Sequence, residues 1–182
     1  MDGSRAGIIM DVISDFSLTK ALFIIALLGA VSFDITSYRI PNTVIVVLLV
    51  LFAIVSLFGS TEVNWLDHLL AGGVCFIGGI IFYGLGQMGA GDVKLLGTVA
   101  LWGGIGALLP LVFWISLSGL LLIAVLLLLR WLAPLLQASR IVSMPASLPR
   151  VLVRGEGVPY GVAIGIGTLV ALPYFQTWLW MF

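Results

Sequence analysis

Long apolar runs separated by short polar islands make up most of this sequence. Six runs approach the roughly 20 apolar residues that cross a bilayer as a helix, and they lie near 18–34, 43–59, 67–86, 93–107, 108–132 and 158–180. None of them alternates apolar and polar positions as a half-buried strand does. Backbone groups in hydrocarbon must also bond within their own segment. The pattern predicts an all-α, polytopic integral membrane protein with about six transmembrane helices in a single domain, 1–182.

A glycine-rich stretch divides the fourth run from the fifth. It contains Gly103, Gly104, Gly106 and Pro110. Glycine and proline are the strongest local punctuators of a helical pattern. The two runs are therefore read either as two spans or as one broken span.

The basic residues predict the orientation of the chain. With the N-terminus outside, the inside segments hold six of the eight lysines and arginines, namely Arg39, Lys94, Arg130, Arg140, Arg150 and Arg154. The acidic loop that carries Glu62 and Asp67 then falls outside. The positive-inside rule favours this arrangement. The longest inside connection, about 133–157, is interpreted as a topology anchor or as a contact surface for substrate or assembly proteins.

Composition supports lipid as the solvent and excludes several kinds of site. Hydrophobic residues make up 62% and charged residues 9% of the chain, against roughly 45–50% and about 25% in soluble domains. The net charge of zero gives no reason to expect a nucleic-acid partner. Cys75 is the only cysteine and His68 the only histidine. No disulfide framework, histidine-based metal cluster or Ser/His triad is therefore predicted.

Two polar islands carry the candidate chemistry. Asp34 lies at the inner end of the first run, before Pro41 breaks the chain, and Asp92 begins the fourth run after Gly89 and Gly91. Both aspartates fall on the inside in a topology drawn from basic residues alone. An aspartate at the centre of a spanning helix costs about 2.5–3.5 kcal/mol. Each could simply cap a helix end, but a pair on one side of a small bundle favours a functional site.

Paired carboxylates are suited to peptide hydrolysis without a metal. The ionised one takes a proton from water, and the protonated one polarises the scissile carbonyl and protonates the leaving nitrogen. Close carboxylates share a proton, because like charges resist ionising together. Asp92 at a helix N-terminus is predicted to be the resting base, and Asp34 near a C-terminus the resting acid. Lys94 does not share the helical face of Asp92, so it either anchors the inside end or contacts headgroups or a substrate carboxylate.

Three segments together resemble the type IV prepilin peptidases, a branch of the Gly-x-Gly-Asp intramembrane aspartyl proteases. Residues 89–95 (GAGDVKL) resemble the second catalytic segment of that family. Asp34, 58 residues before Asp92, resembles the first together with residues 39–42 (RIPN). Residues 158–163 (VPYGVA) are similar to a third segment. The resemblance extends over about residues 18–180.

The resemblance implies an aspartic-type endopeptidase that removes the short basic leader from prepilins or pseudopilins. It places the enzyme in the cytoplasmic (inner) membrane, with its site facing the cytoplasm, and it calls for no cofactor and no metal. Its partners would be the prepilin substrate, the bilayer and pilus or secretion assembly proteins. Asp34 and Asp92 carry over as the catalytic pair, and the loop and substrate-support positions as Gly89, Gly91, Lys94, Pro41, Asn42, Pro159, Tyr160 and Gly161.

One departure and two alternatives complete the prediction. The chain lacks the Cys-x-x-Cys insertion of many members, so it resembles the short forms of tight-adherence (Flp) pilus systems or archaeal preflagellin peptidases, and no N-methyltransferase activity is expected. An ion-coupled carrier also uses buried acids and glycine-broken helices, but here the acids lie toward one face and no inverted repeat is visible. A noncatalytic pilin-assembly factor is the other alternative, and the complete catalytic segments weigh against it.

Overall fold

The computed structural model of the chain describes residues 16–58, 63–139 and 157–175. These ranges contain helices α1 (Phe16–Ser37), α2 (Asn42–Phe58), α3 (Trp65–Gly84), α4 (Ala90–Ser139) and α5 (Tyr160–Ala171), followed by the 3₁₀ turn η1 (Leu172–Tyr174). No strand occurs in these ranges, which confirms the all-α prediction there. Most of the 133–157 connection, and the end of the last predicted span beyond residue 175, lie outside the described residues.

Within the described residues, three helical stretches are long and apolar enough to cross a membrane, and they run over Leu18–Ser37, Trp65–Gly84 and Ala90–Pro134. Two shorter apolar helices, Asn42–Phe58 and Tyr160–Tyr174, accompany them. Large apolar side chains are exposed along these helices, which hydrocarbon accommodates and water does not. The helices thus mark a membrane protein, while the count of six spans and the outside N-terminus stay predictions.

Helix α4 is broken at Gly104. This residue has φ 71° and ψ 176°, a backbone region that is essentially restricted to glycine. The break divides α4 into a first arm, residues 90–103, and a second arm, residues 105–139. The sequence alone did not decide whether the fourth and fifth apolar runs form two spans or one broken span. The break lies a few residues before the predicted boundary between 107 and 108.

The second arm runs back from this break. A Cβ atom added at Gly119 would lie 3.7 Å from the Cβ of Ala163, and one added at Gly167 would lie 2.5 Å from the Cα of Ile115. Since the positions on α5 rise as those on α4 fall, α5 and the second arm are antiparallel. The second arm therefore returns toward the end of the bundle where α5 begins.

Two neighbouring side chains of α3 bridge the break in α4. A regular helix would bond the N–H of Ile105 to the carbonyl of Leu101. Instead, the Ile105 N–H donates to Oδ2 of Asp67 at 3.0 Å, and Nδ1 of His68 lies 2.6 Å from the Leu101 oxygen. A carbonyl oxygen only accepts, so Nδ1 of His68 carries the proton. Asp67 and His68 thus replace the two halves of the hydrogen bond that the break removes.

Trp102, on the first arm, joins α4 to α1 and α2. Its ring is fully buried and its centroid lies 4.8 Å from that of Phe23 and 5.6 Å from that of Phe52. Its Nε1–H donates to the carbonyl of Leu48 at 3.1 Å. This hydrogen bond satisfies the polar atom of a side chain that would otherwise be costly to bury. The cluster fixes the first arm, and with it Asp92, against the helix that carries Asp34.

Glycines allow α3 and the first arm to pack at close range. A Cβ atom added at Gly72 would lie 3.1 Å from the carbonyl oxygen of Gly97, and one added at Gly97 would lie 3.0 Å from the Cβ of Phe76. Lipid supplies no hydrophobic driving force between helices, so such close packing stabilises the pair.

Candidate active site

The two predicted aspartates converge between α1 and α4. Asp34 lies in the last turn of α1, where its carbonyl accepts from the N–H of Tyr38 at 2.9 Å. Asp92 lies in the first turn of α4. The two residues are only 4% and 8% exposed. Both line one cavity of about 310 Å³.

The end of α1 is shaped by a left-handed residue. Tyr38 has φ 54°, a conformation that costs a non-glycine residue about 1–2 kcal/mol. It turns the chain from α1 toward Ile40 and Pro41 and so into α2. Tyr38 also lines the cavity with the two aspartates. Sequence reasoning missed it, because a tyrosine gives no signal for positive φ.

The loop before α4 holds Asp92 through its backbone. The N–H of Gly89 donates to Oδ2 of Asp92 at 3.2 Å, and the carbonyl of Gly89 accepts from Val93 at 3.1 Å. This is one half of a capping box, in which a side chain near the helix start reaches back to the capping residue. A Cβ atom at Gly91 would lie 3.2 Å from the Cβ of Ile40. At both positions a larger residue would press on a neighbouring side chain, Asp92 at Gly89 and Ile40 at Gly91.

The N-terminus of α5 is the third component of the site. The N–H of Val162 donates to Oδ2 of Asp34 at 3.3 Å, and the amide of Gly161 faces both carboxylates. A Cβ atom at Gly161 would lie 2.8 Å from Oδ2 of Asp34, so glycine leaves the room that this carboxylate occupies. Only the family resemblance pointed to this segment.

This contact corrects the electrostatic basis for the acid and base roles. Asp34 was predicted to lie near a helix C-terminus, which does not favour its anion, and it does lie in the last turn of α1. Nothing in the sequence indicated that α5 also directs an N–H group from its own N-terminus at Asp34. Helix N-termini favour the anions of both carboxylates. They therefore do not decide whether Asp34 or Asp92 carries the resting proton.

Lys94 and Asn42 lie together at the cavity. Nζ of Lys94 donates to Oδ1 of Asn42 at 2.9 Å, and both residues line the cavity with Arg39. Helical spacing predicts that Lys94 does not share a helix face with Asp92, yet both residues line the same cavity. Four other predicted support residues, Pro41, Pro159, Tyr160 and Gly161, do not line it, although Gly161 packs against Asp34. Tyr160 lines a neighbouring apolar groove instead.

This arrangement can support acid–base chemistry on a bound peptide segment. Two carboxyl groups face a space large enough for water and a short peptide segment, given roughly 30 Å³ for each water. Within the described ranges, no group of three or more His, Cys, Asp or Glu residues is placed to hold a metal ion. That the reaction needs neither metal nor cofactor stays a prediction.

Comparison with known proteins gives one match. The sequence profile described as the type IV leader peptidase family matches residues 21–129, which is more than half of the chain. The matched region contains both aspartates and the loop before α4, and it ends before α5. No curated protein and no solved structure matches the chain significantly.

Proposed function

This chain belongs to the type IV leader peptidase family, and we propose that it is an intramembrane aspartic endopeptidase in which Asp34 and Asp92 form the catalytic pair. The observation that carries the proposal is that these two aspartates, 58 positions apart in the sequence and on different helices, line one cavity. Like charges in a buried site resist ionising together. The pair therefore favours the singly protonated state, which supplies one acid and one base.

Hydrolysis then proceeds in two proton-balanced steps. The ionised carboxylate takes a proton from water as the water oxygen bonds to the scissile carbonyl carbon, and the protonated carboxyl gives its proton to the carbonyl oxygen. In the resulting tetrahedral intermediate, the carboxyl that gained a proton transfers it to the amide nitrogen. The C–N bond breaks, the other carboxylate takes back the hydroxyl proton, and a new carboxyl end and a new amine end are released.

The substrate we propose is a prepilin or pseudopilin with a short basic leader. The enzyme would remove that leader at the cytoplasmic face of the inner membrane, working with pilus or secretion assembly proteins. Arg39, Lys94 and Arg130 support this orientation. The first two line the aspartate cavity, and Arg130 donates to the carbonyl of Gly157 just before α5. Basic residues at this end of the bundle favour the cytoplasm.

Co-expression with a precursor tests the activity. The precursor carries a short basic leader that ends in glycine, and its mass is read with the unmodified chain, Asp34→Asn or Asp92→Asn, at matched membrane levels. We expect leader removal by the unmodified chain alone, with no added methyl group on the new N-terminus. A normal rate for either variant removes that aspartate from the mechanism. An uncut precursor in every case returns weight to the assembly-factor and carrier alternatives.

Cysteine labelling tests the proposed orientation. A cysteine in place of Arg39, in a Cys75→Ala background, is expected to react with an impermeant maleimide in inverted membrane vesicles. The same cysteine in intact cells or right-side-out vesicles is expected to stay unlabelled. The reverse pattern would place the aspartate cavity outside.

A further inference from the structure

An apolar groove of about 570 Å³ lies beside the aspartate cavity. One wall is a face of α3 that includes Val74, Gly78 and Phe82, and the opposite wall is the second arm of α4. The groove exists because the arm turns away at Gly104, so only the first arm packs closely on α3. Its lining is almost entirely apolar, and several lining side chains are small or absent.

The groove adjoins the segments that form the candidate active site. Gln87 and Met88 line it, and the next residue in the chain is Gly89, whose N–H binds Asp92. Tyr160 lines it on the other side, just before Gly161, whose amide faces both carboxylates. The groove is therefore lined by residues that directly precede two segments of the candidate active site.

The groove also extends along the bundle into the depth of the bilayer. Its lining on the second arm runs from Leu108 to Ile123, which at 1.5 Å per residue is about 22 Å. The hydrocarbon core of a membrane is about 30 Å thick. A segment in the groove would therefore reach from the aspartate end across much of the core.

A segment in that position must be helical and apolar. Backbone groups in hydrocarbon have to bond internally, and only a helix does this within one short segment. Gly78, which lines the groove, allows a helix backbone to approach closely. A Cβ atom added at Gly78 would meet nothing within 4 Å, so the space in front of it is open. These features match the recognition of an apolar helix in a groove.

We propose that this groove is the docking site for the apolar helix that follows the scissile bond of the substrate. The helix lies between α3 and the second arm, and its N-terminal end presents the peptide bond to Asp34 and Asp92. This inference rests on the proposed peptidase function and adds the location of a second substrate contact. It assigns specificity to membrane-embedded substrates, since an aqueous peptide would lack the part that fills the groove.

A photo-cross-link tests the docking without requiring cleavage. The photoreactive residue p-benzoylphenylalanine replaces Leu120, which lines the groove and is 64% exposed, or Leu121, which does not line it and is 58% exposed. Asp92→Asn is present in both chains, so the probe stays intact. The probe is a synthetic precursor with a basic leader and an apolar helix of about 20 residues, in phosphatidylethanolamine and phosphatidylglycerol liposomes.

We expect a precursor adduct from position 120 and little or none from position 121. Adducts with lipid alone, adducts with a second copy of the chain, or equal precursor yields from both positions would overturn the proposal. The readout does not depend on turnover. Failure of the peptidase proposal is therefore seen separately, as an unmodified chain that cuts no precursor.

Filling the groove gives a second, kinetic test. Gly78→Leu places a side chain in the open space, and Gly29→Leu is the matched control, because a Cβ atom at Gly29 also meets nothing within 4 Å. Gly29 lies on α1, away from the groove. We expect Gly78→Leu to lower kcat/KM for the membrane-embedded precursor about tenfold or more, mainly through KM. Equal kcat/KM for the two variants would overturn the proposal.

Discussion

The first arm of α4 meets a pair of polar side chains at each end, and the two pairs differ in chemistry. At the Gly104 end, Asp67 accepts from one backbone group and His68 donates to another. At the other end, Asp34 and Asp92 are both acceptors, and both draw on backbone N–H groups. The first pair is complementary to the break that it bridges. The second pair brings like groups together around a cavity.

This difference separates a structural role from the catalytic role that we propose for Asp34 and Asp92. At the Gly104 end, one atom of each side chain, Nδ1 of His68 and Oδ2 of Asp67, is matched to one half of a broken backbone hydrogen bond, which accounts for both residues structurally. Asp34 and Asp92 instead line one cavity, and in the proposed mechanism they share one proton. The region that matches the family contains both pairs of residues. The match therefore does not distinguish the two pairs, and only their geometry does.

Among positions beside the two aspartates, the largest effect is expected when a side chain is added at Gly161, because it would displace the carboxylate of Asp34. In Gly161→Ala the new Cβ would lie 2.8 Å from Oδ2 of Asp34 and 2.9 Å from Cδ1 of Ile40. The carboxylate must shift, and misplacement by about 1 Å can cost 10²-fold in rate. Single-turnover cleavage measures the loss. Gly29→Ala is the control, and equal rates for the two alanine variants would contradict the assigned position of Gly161.

The next effect tests the opposite end, where loss of stability without loss of chemistry is expected. His68→Ala leaves the buried carbonyl of Leu101 without its donor, which costs about 1–3 kcal/mol. Unfolding in mixed micelles measures the change, and the rate per folded molecule should stay near that of the unmodified chain. His68→Gln retains a donor and should recover part of the stability. A lost rate in a stably folded His68→Ala would contradict a purely structural role.

A smaller effect is expected from removing the charge of Lys94, which tests the electrostatic role of this residue in the cavity. Lys94→Gln keeps a donor for Asn42 and removes the charge. Because Lys94 is exposed, we expect the cleavage rate to fall only about twofold to fivefold, within the usual range for surface charges. Rates at low and high salt measure it, and the loss should shrink as salt rises. A loss that is independent of salt would point to a geometric role.

The smallest effect is expected at Asp67. Asp67→Asn retains an oxygen that can accept from the Ile105 N–H, so stability should change by about 0.5 kcal/mol or less. Cleavage should remain within about twofold of normal. The same unfolding and cleavage measurements apply. Loss of activity at Asp67 would break the distinction between the two ends of the arm.

Sequence patterns predicted the parts of this molecule that depend on one segment at a time. The apolar runs predicted the helices, and the glycine cluster predicted a break between residues 103 and 110. The basic residues placed Asp34 and Asp92 on one side, and the structure brings the two together. Gly89 and Gly91 predicted the tight loop, because only small residues fit beside Asp92 and Ile40.

The parts that depend on contacts between distant segments could not be read in advance. In the sequence, Asp67 belongs to an acidic loop and His68 is a lone histidine. Their role follows only from the break at Gly104, which leaves the carbonyl of Leu101 and the N–H of Ile105 to bond with them. Gly161 was found by resemblance only, and the N-terminus of α5 that it belongs to removes the electrostatic distinction between Asp34 and Asp92. The left-handed turn at Tyr38 carries no composition signal at all.

The most direct test of the account is the single-turnover rate of leader removal by three matched variants in proteoliposomes. Asp34→Asn, Asp92→Asn and Asp67→Asn make the same chemical change at the two ends of the first arm. The account predicts losses of about 10²–10⁴-fold for the first two, with Asp67→Asn close to the unmodified chain. A normal rate for either Asp34→Asn or Asp92→Asn, in protein that remains folded, would contradict it.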